Sequence, residues 1–247
     1  MPAEDMLLEA QHIVSDAETR SVTLRLLGGL AVRSLCPSST NPVLVRDYKD
    51  MDFIGLKKQS RQIKRLFIEQ GYTPDGMFNA LHGSSRLVFF DKNQRRIDIF
   101  LDIFEMCHKF DFRHRLGSHQ LTLSVTDILA TKLQVFQTND KDFKDIITIL
   151  LDHDIGNHDE GGAIDGLHLA GLCAADWGIY KTFTRTLQNT LQTLGQFELE
   201  PASKEIVKGR IEKLLHTLES KPKSLNWKAR AVIGEKSQWY KLPDDTA

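Results

Sequence analysis

The sequence predicts an α+β protein: a small mixed β-sheet with helices, followed by a C-terminal helical domain. Three observations predict it. Short apolar segments separated by turn residues alternate with helical periods through the first half. A glycine pair, Gly28-Gly29, closes one apolar segment and opens the next. From Ser124 onward the apolar period is helical almost to the end. The expected division is a first domain over 1–122 and a helical domain over 123–247.

Glu4 to Thr19 reads as an amphipathic helix, with Leu7, Leu8, Gln11, Ile13 and Val14 near one side. Val22 to Leu27 has strand character, and Leu30 to Leu35 continues as a short helix after the glycines. Cys36 to Pro42 carries the Pro, Ser and Asn of a loop. Met51-Asp52-Phe53-Ile54, ended by Gly55, is a short strand. Lys57 to Gln70 is a helix with Ile63, Leu66, Phe67 and Gln70 on a stripe, stopped by Gly71. Arg86 to Phe90, the polar turn Asp91 to Gln94, and Arg95 to Ile103 form a β-hairpin. In the second half, Val125, Ile128, Leu129, Leu133 and Phe136 make one helical stripe, and Asp140 to His153 is the next helix. Two longer helices follow, Ala163 to Gln196 with a break around Asp176-Trp177-Gly178, and Ala202 to Ser220. The Lys- and Trp-containing tail from Lys221 mixes cations with aromatics as an RNA-binding segment can, but the favoured reading is a terminal helix packing back on the body.

The chemistry lies in the carboxylates. Residues two apart on a strand share a face about 6.6–7 Å apart, so Asp50 and Asp52 converge while Met51 and Phe53 face the other way. Two more Asp-x-Asp pairs, Asp140/Asp142 and Asp152/Asp154, lie in or beside helical sequence, where such a pair does not share a face. In Arg96-Ile97-Asp98-Ile99-Phe100-Leu101-Asp102-Ile103, alternation puts Asp98 and Asp102 on one face. A buried acid flanked by Ile and Leu is costly unless it is paired or holds a metal. Asp98 is the preferred third carboxylate and Asp102 the alternative. Three carboxylates suit two hard divalent cations beside a polyphosphate. The glycine pair lets the backbone approach an anion at the start of a helix.

Lys132 falls on an apolar stripe, four residues from both Ile128 and Phe136. It either snorkels or points its ammonium into a cleft, where it would neutralise a leaving pyrophosphate. Asp142 and Asp145 flank the core stripe of the next helix, where they could orient Lys132, hold nucleotide or metal, or cap the first turn. A cap-like role is expected for Asp140 and a site role for Asp142. His153-Asp154 and His158-Asp159 raise a different reading, a metal phosphohydrolase of the HD type. Such a site takes ligands from several helices, whereas these crowd into one Gly-rich loop.

The ordered set Leu27-Gly28-Gly29, Lys49-Asp50-x-Asp52 and Ile97-Asp98-Ile99 resembles the nucleotidyltransferase superfamily of DNA polymerase β, and within it the AbiEii-like prokaryotic nucleotidyltransferases. Lys132-Leu133 and Lys141-Asp142-Phe143-Lys144-Asp145 match the downstream elements of the latter. The resemblance spans residues about 20 to 152. It departs from the common pattern in the long spacing from Gly29 to Asp50, and in Gly29 standing where many members have serine. It implies the nucleotidyltransferase fold and a Mg²⁺- or Mn²⁺-dependent transfer of a nucleoside monophosphate from an NTP to an acceptor hydroxyl. It also implies Asp50, Asp52 and Asp98 as catalytic and metal residues, with Gly28, Gly29, Lys49, Lys132 and Asp142 on the nucleotide. The acceptor (RNA, protein or small molecule), a toxin-like role and the oligomeric state stay open. A competing expectation is a non-catalytic nucleotide-binding module of the same fold.

Composition excludes little. At 247 residues with a formal charge of −1 and 26% charged residues, the chain has room for a full core and no global excess of positive charge for nucleic acid. No apolar run reaches the length of a membrane span and no signal peptide is evident. Three widely separated cysteines, Cys36, Cys107 and Cys173, lack metal spacing and read as reduced, with a cytoplasmic location expected.

Overall fold

The computed structural model describes residues 5–242, and their contacts divide into two units. The first holds the described residues through Ser34, Asp47–Glu105 and Lys109–Ser124. The second holds Leu35–Arg46, Met106–His108 and the described residues from Val125 onward.

In the first unit, Asp5 caps α1 (Met6–Thr19), its side chain accepting from Leu7 N; the expected start at Glu4 lies outside the described residues. β1 (Leu24–Leu27) leads directly into α2 (Gly28–Leu35), so the helix begins at the glycine pair itself, two residues earlier than its apolar pattern suggests. β2 (Asp50–Gly55) follows. A 3₁₀ turn at Lys57–Gln59 precedes α3 (Ser60–Glu69) and shortens the helix expected from Lys57. Then come β3 (Thr73–Pro74), α4 (Gly76–His82), β4 (Arg86–Phe90), β5 (Arg96–Leu101), and the short hairpin β6 (Ile103–Glu105) with β7 (Lys109–Asp111). Helix α4 buries none of its residues, so no apolar stripe announces it in the sequence.

The five-stranded sheet has the order β1-β2-β5-β4-β3. β2 and β5 run parallel, and the other pairings are antiparallel. Alternation gives it two chemically distinct faces. Met51 and Phe53, Ile97 and Ile99, and Leu87 and Phe89 lie in register on one face, all fully buried. Helix α3 packs there through Ile63, Leu66 and Phe67. The Phe67 ring lies 5.9 Å from Phe53 and stacks 5.1 Å from Phe89. A Cβ on Gly55 would meet Ile63 at 2.7 Å, which shows how closely helix and strand approach. Burying a ring such as Phe67 contributes about 1.5–3 kcal/mol. The opposite face carries Asp50 and Asp52, Arg96 and Asp98, and Arg86. The apolar face anchors the sheet, and the charged face is held in register by it.

The second unit is helical: α5 (Val125–Leu133), α6 (Asp140–Asp152), α7 (Gly166–Ala175), α8 (Trp177–Thr193), α9 (Pro201–Ser220) and α10 (Leu225–Ile233), with a two-stranded pair β8 (Ile155–Gly156) and β9 (Ile164–Asp165). The break falls at Asp176, which ends α7 and caps α8 by accepting from Ile179 N at 2.9 Å. The tail packs back on its own unit: α10 contacts α7 and α8, and Trp227 meets Tyr180 edge-on at 5.3 Å. Ser38 donates through both its N–H and its hydroxyl to Asp152 at 2.8 and 2.5 Å, tying the 35–46 segment to α6. Cys36, Cys107 and Cys173 are buried and free in this unit. Among the described residues no helix is long and apolar enough to cross a membrane.

Candidate functional site

The parallel register of β2 and β5 brings the predicted acids together. Asp50 lies opposite Arg96 and Asp52 opposite Asp98, at the roughly 4.8 Å spacing of neighbouring strands. Asp50 is exposed, Asp52 half-buried and Asp98 4% exposed. The three acids therefore descend from solvent into the sheet along one face. Two carboxylates directly opposite each other repel, so Asp52 and Asp98 require compensating positive charge.

The glycine turn abuts the same acids. Leu27, the last residue of β1, is in register with Asp52, and Gly28 follows with φ +69°. A Cβ built on Gly28 would stand 2.2 Å from Asp52 Oδ2. The backbone at Gly28 thus forms a wall of the carboxylate's seat, and the start of α2 faces the spot where Asp52 sits. Helix starts leave backbone N–H groups free for anions.

Asp98 is held by two guanidiniums. Arg86 donates to Oδ1 through Nε at 2.9 Å and Nη2 at 2.8 Å, and Arg96 donates through Nε to Oδ2 at 2.9 Å. Both arginines have aromatic shelves: Arg86 lies 4.8 Å from the Phe100 ring and 5.8 Å from Phe78, and Arg96 lies 6.0 Å from Phe78. The alternative acid, Asp102, does not join the face. The strand ends at Leu101, Asp102 takes φ +64°, and its Oδ1 accepts from Lys57 N at 2.9 Å, capping the 3₁₀ turn. The expected continuation of β5 to Ile103 fails at this left-handed residue.

Hard divalent cations take carboxylate oxygens. Asp50 and Asp52 offer such oxygens on one accessible edge, and the Gly28 wall leaves room for no side chain that would compete. The donor set fits a cation held by these two, while Asp98 is engaged by arginine. Among the described residues no three His, Cys, Asp or Glu side chains stand close enough to make a ready metal cluster. Lys49 is exposed immediately ahead of β2.

Lys132 and Asp142 belong to the second unit. The Lys132 ammonium lies 2.7 Å from Asp145, and the same carboxylate receives Arg46 at 2.8 and 3.0 Å. Burial works against the Lys132 charge, but Asp145 and then Asp142 outweigh it and hold its pKa above the ordinary lysine value. Asp142 itself completes a capping box: it accepts from Asn139 N at 3.1 Å while Asn139 accepts from Asp142 N. Asn139, one residue before Asp140, is therefore the cap of α6, and Asp140 pairs with Lys144 at 3.4 Å. His153 Nδ1 lies 2.7 Å from the Gly162 carbonyl, His158 is exposed, and Asp154 pairs with Arg210. These residues are not assembled as an HD-type ligand set.

Arg86 and Arg96 are the charged residues of this face that sequence reading missed. Arg96 precedes Asp98 by two in a strand, which is enough to place them on one face. Arg86 reaches Asp98 only through the β4–β5 register, in which Val88 opposes Asp98.

No family model matches the sequence, and no curated protein matches it. Among solved structures the chain is similar to the lincosamide antibiotic adenylyltransferase LnuA in its lincomycin-bound crystal structure, at 16% identity over 56% of this chain and 92% of that one, with a TM-score of 0.39. It is similar to the antibiotic-resistance factor ANT(2'')-Ia, seen in solution, at 11% identity over 56% and 78% with a TM-score of 0.37. An antigenic nucleotidyltransferase-like protein from Paracoccidioides brasiliensis is similar at 13% identity over 87% and 98%, with a TM-score of 0.49.

Proposed function

We propose that this chain is a metal-dependent nucleotidyltransferase that moves a nucleoside monophosphate from an NTP to an acceptor hydroxyl and releases pyrophosphate. The observation that carries the reading is the convergence of Asp50, Asp52 and Asp98 on one sheet face, with the Gly28 turn against Asp52. Asp50 and Asp52 would hold Mg²⁺ or Mn²⁺, which would supply positive charge to the phosphoryl displacement. The backbone of Gly28 and Gly29 receives the terminal phosphates, with Lys49 adding positive charge at the accessible end of β2. The acceptor oxygen bonds to the α-phosphorus, the bond from that phosphorus to the bridging oxygen breaks, and its electron pair leaves with pyrophosphate. Asp98 takes the hydroxyl proton once its arginines release it. Lys132 is taken up by its ion pair with Asp145, and Asp142 by the cap of α6. An AbiEii-like or toxin role would be decided by the acceptor.

NTP binding should require Mg²⁺ or Mn²⁺ and fall at least tenfold in Asp50→Asn/Asp52→Asn, with the fold intact because both acids lie on the face opposite the buried apolar one. Calorimetry giving equal NTP affinity with and without EDTA would overturn the metal assignment. The engagement of Asp98 by Arg86 and Arg96 favours one rival, a module that binds nucleotide without transferring it. Incubation with each α-³²P-labelled NTP, Mg²⁺ and cell extract separates the two: a labelled acceptor establishes transfer, and tight binding with no labelled product leaves the module.

A further inference from the structure

The sheet order sets the Gly28 turn and the arginine pair on opposite sides of the β2 acids: β1 with its glycine turn flanks β2 on one edge, and β5 and β4 with Arg96 and Arg86 flank it on the other. If the NTP phosphates lie at the glycine turn, as proposed above, the arginines stand on the acceptor's side. Their arrangement is that of an anion site already filled by an internal anion. Three N–H groups converge on the two oxygens of Asp98, and the guanidiniums are braced by Phe78 and Phe100. Planar guanidinium donors suit carboxylate and phosphate oxygens alike. The Arg96 side chain is 30% exposed, so an incoming group can reach the pair, whereas Asp98 at 5% cannot meet solvent without leaving its partners.

Resting on the nucleotidyltransferase reading, we propose that Arg86 and Arg96 bind a phosphate group carried by the acceptor beside its reactive hydroxyl, and that this phosphate displaces Asp98. The exchange conserves the arginines' charge-assisted bonds: three donors pass from a carboxylate to a phosphate, which has more oxygens to offer them. It frees the third carboxylate only when an acceptor is present. Asp98 thereby doubles as a positioning residue for the arginines in the resting protein. An acceptor lacking the phosphate would leave Asp98 engaged.

The test is calorimetric titration of the full chain with inorganic phosphate, without nucleotide. Asp98→Asn removes the internal competitor and should tighten phosphate binding roughly tenfold, the scale of one hydrogen bond to a charged group. Asp50→Asn removes the same charge from the same face and should gain clearly less. Arg86→Gln/Asp98→Asn, which strands no carboxylate at position 98, should lose the gain. Phosphate binding no tighter in Asp98→Asn than in wild type, or a gain that survives Arg86→Gln/Asp98→Asn, overturns the exchange. Acetate competing as well as phosphate overturns the choice of phosphate over carboxylate. The Mg²⁺ dependence of NTP binding in the wild type is scored separately, so failure of the nucleotidyltransferase reading is distinguishable from failure of the arginine site.

Discussion

At Gly28 two independent constraints meet. Its φ of +69° is costly for a residue with a Cβ, and a Cβ there would lie 2.2 Å from Asp52 Oδ2. Gly28→Ala should lower stability by about 1–2 kcal/mol from backbone strain and reduce NTP affinity by at least tenfold, because Asp52 must move. A melting curve and a nucleotide titration on one preparation check both. His108 offers a separate test in the second unit. Its Nε2 lies 2.8 Å from Thr182 Oγ1, and burial lowers its pKa below the ordinary 6.5, with Asp176 acting weakly in the opposite sense. The unfolded imidazole therefore takes a proton more readily than the folded one. The contribution is full above pH 6.5 and is lost as the pH falls below it. The melting temperature should drop between pH 7 and pH 5, and His108→Gln should reduce that drop.

Among the elements, strands β2 and β5 were legible because each alternates acids or arginine with large apolar residues, and the Gly-Gly junction marked where β1 turns into α2. Helix α4 was not, since seven residues with no buried face leave no periodic signal. The end of β5 was misplaced because nothing local distinguishes Asp98 from Asp102; the left-handed backbone at Asp102 and its bond to Lys57 N come from the chain on either side. The clamp on Asp98 depends on the pairing of β4 with β5, and the Lys132–Asp145 contact on the packing of α5 against α6. The clamp follows no periodic spacing and could not be seen in the sequence, whereas Asp142 and Asp145 were legible as acids that could orient Lys132. Lys132→Met tests the contact with Asp145. It keeps helix propensity but removes one of the two cations on Asp145, which is nearly buried. Because Arg46 remains, the loss should be about 1–3 kcal/mol, smaller than for a buried acid left wholly unpaired. An unchanged melting temperature would mean that Arg46 alone neutralises Asp145.

For the whole molecule, the sequence placed the change from mixed sheet to helices near Ser124. It could not show that 35–46 and 106–108 belong with the helical unit. Those segments are attached by particular side-chain bonds, such as Ser38 to Asp152 and His108 N to Gln134 Oε1, between residues 26 to 114 positions apart. One consequence concerns the three cysteines. Burial raises the pKa of Cys36, Cys107 and Cys173, each with a nearby carboxylate adding to the effect, so the reactive thiolate is scarce in the native state. All three sit in the helical unit, one in each of its three chain segments, and the sheet unit has none. Thiol labelling is thus a built-in clock for the opening of one unit alone. With excess Ellman's reagent at pH 8, the native protein should release almost no chromophore. Labelling rates should rise with denaturant along the melting of the helices, even where the nucleotide-binding response of the sheet unit follows a different curve. Release of three equivalents at once would mark the helical unit as a single cooperative body; a fast first equivalent from Cys36 or Cys107 would show that an inserted segment detaches before the helices come apart.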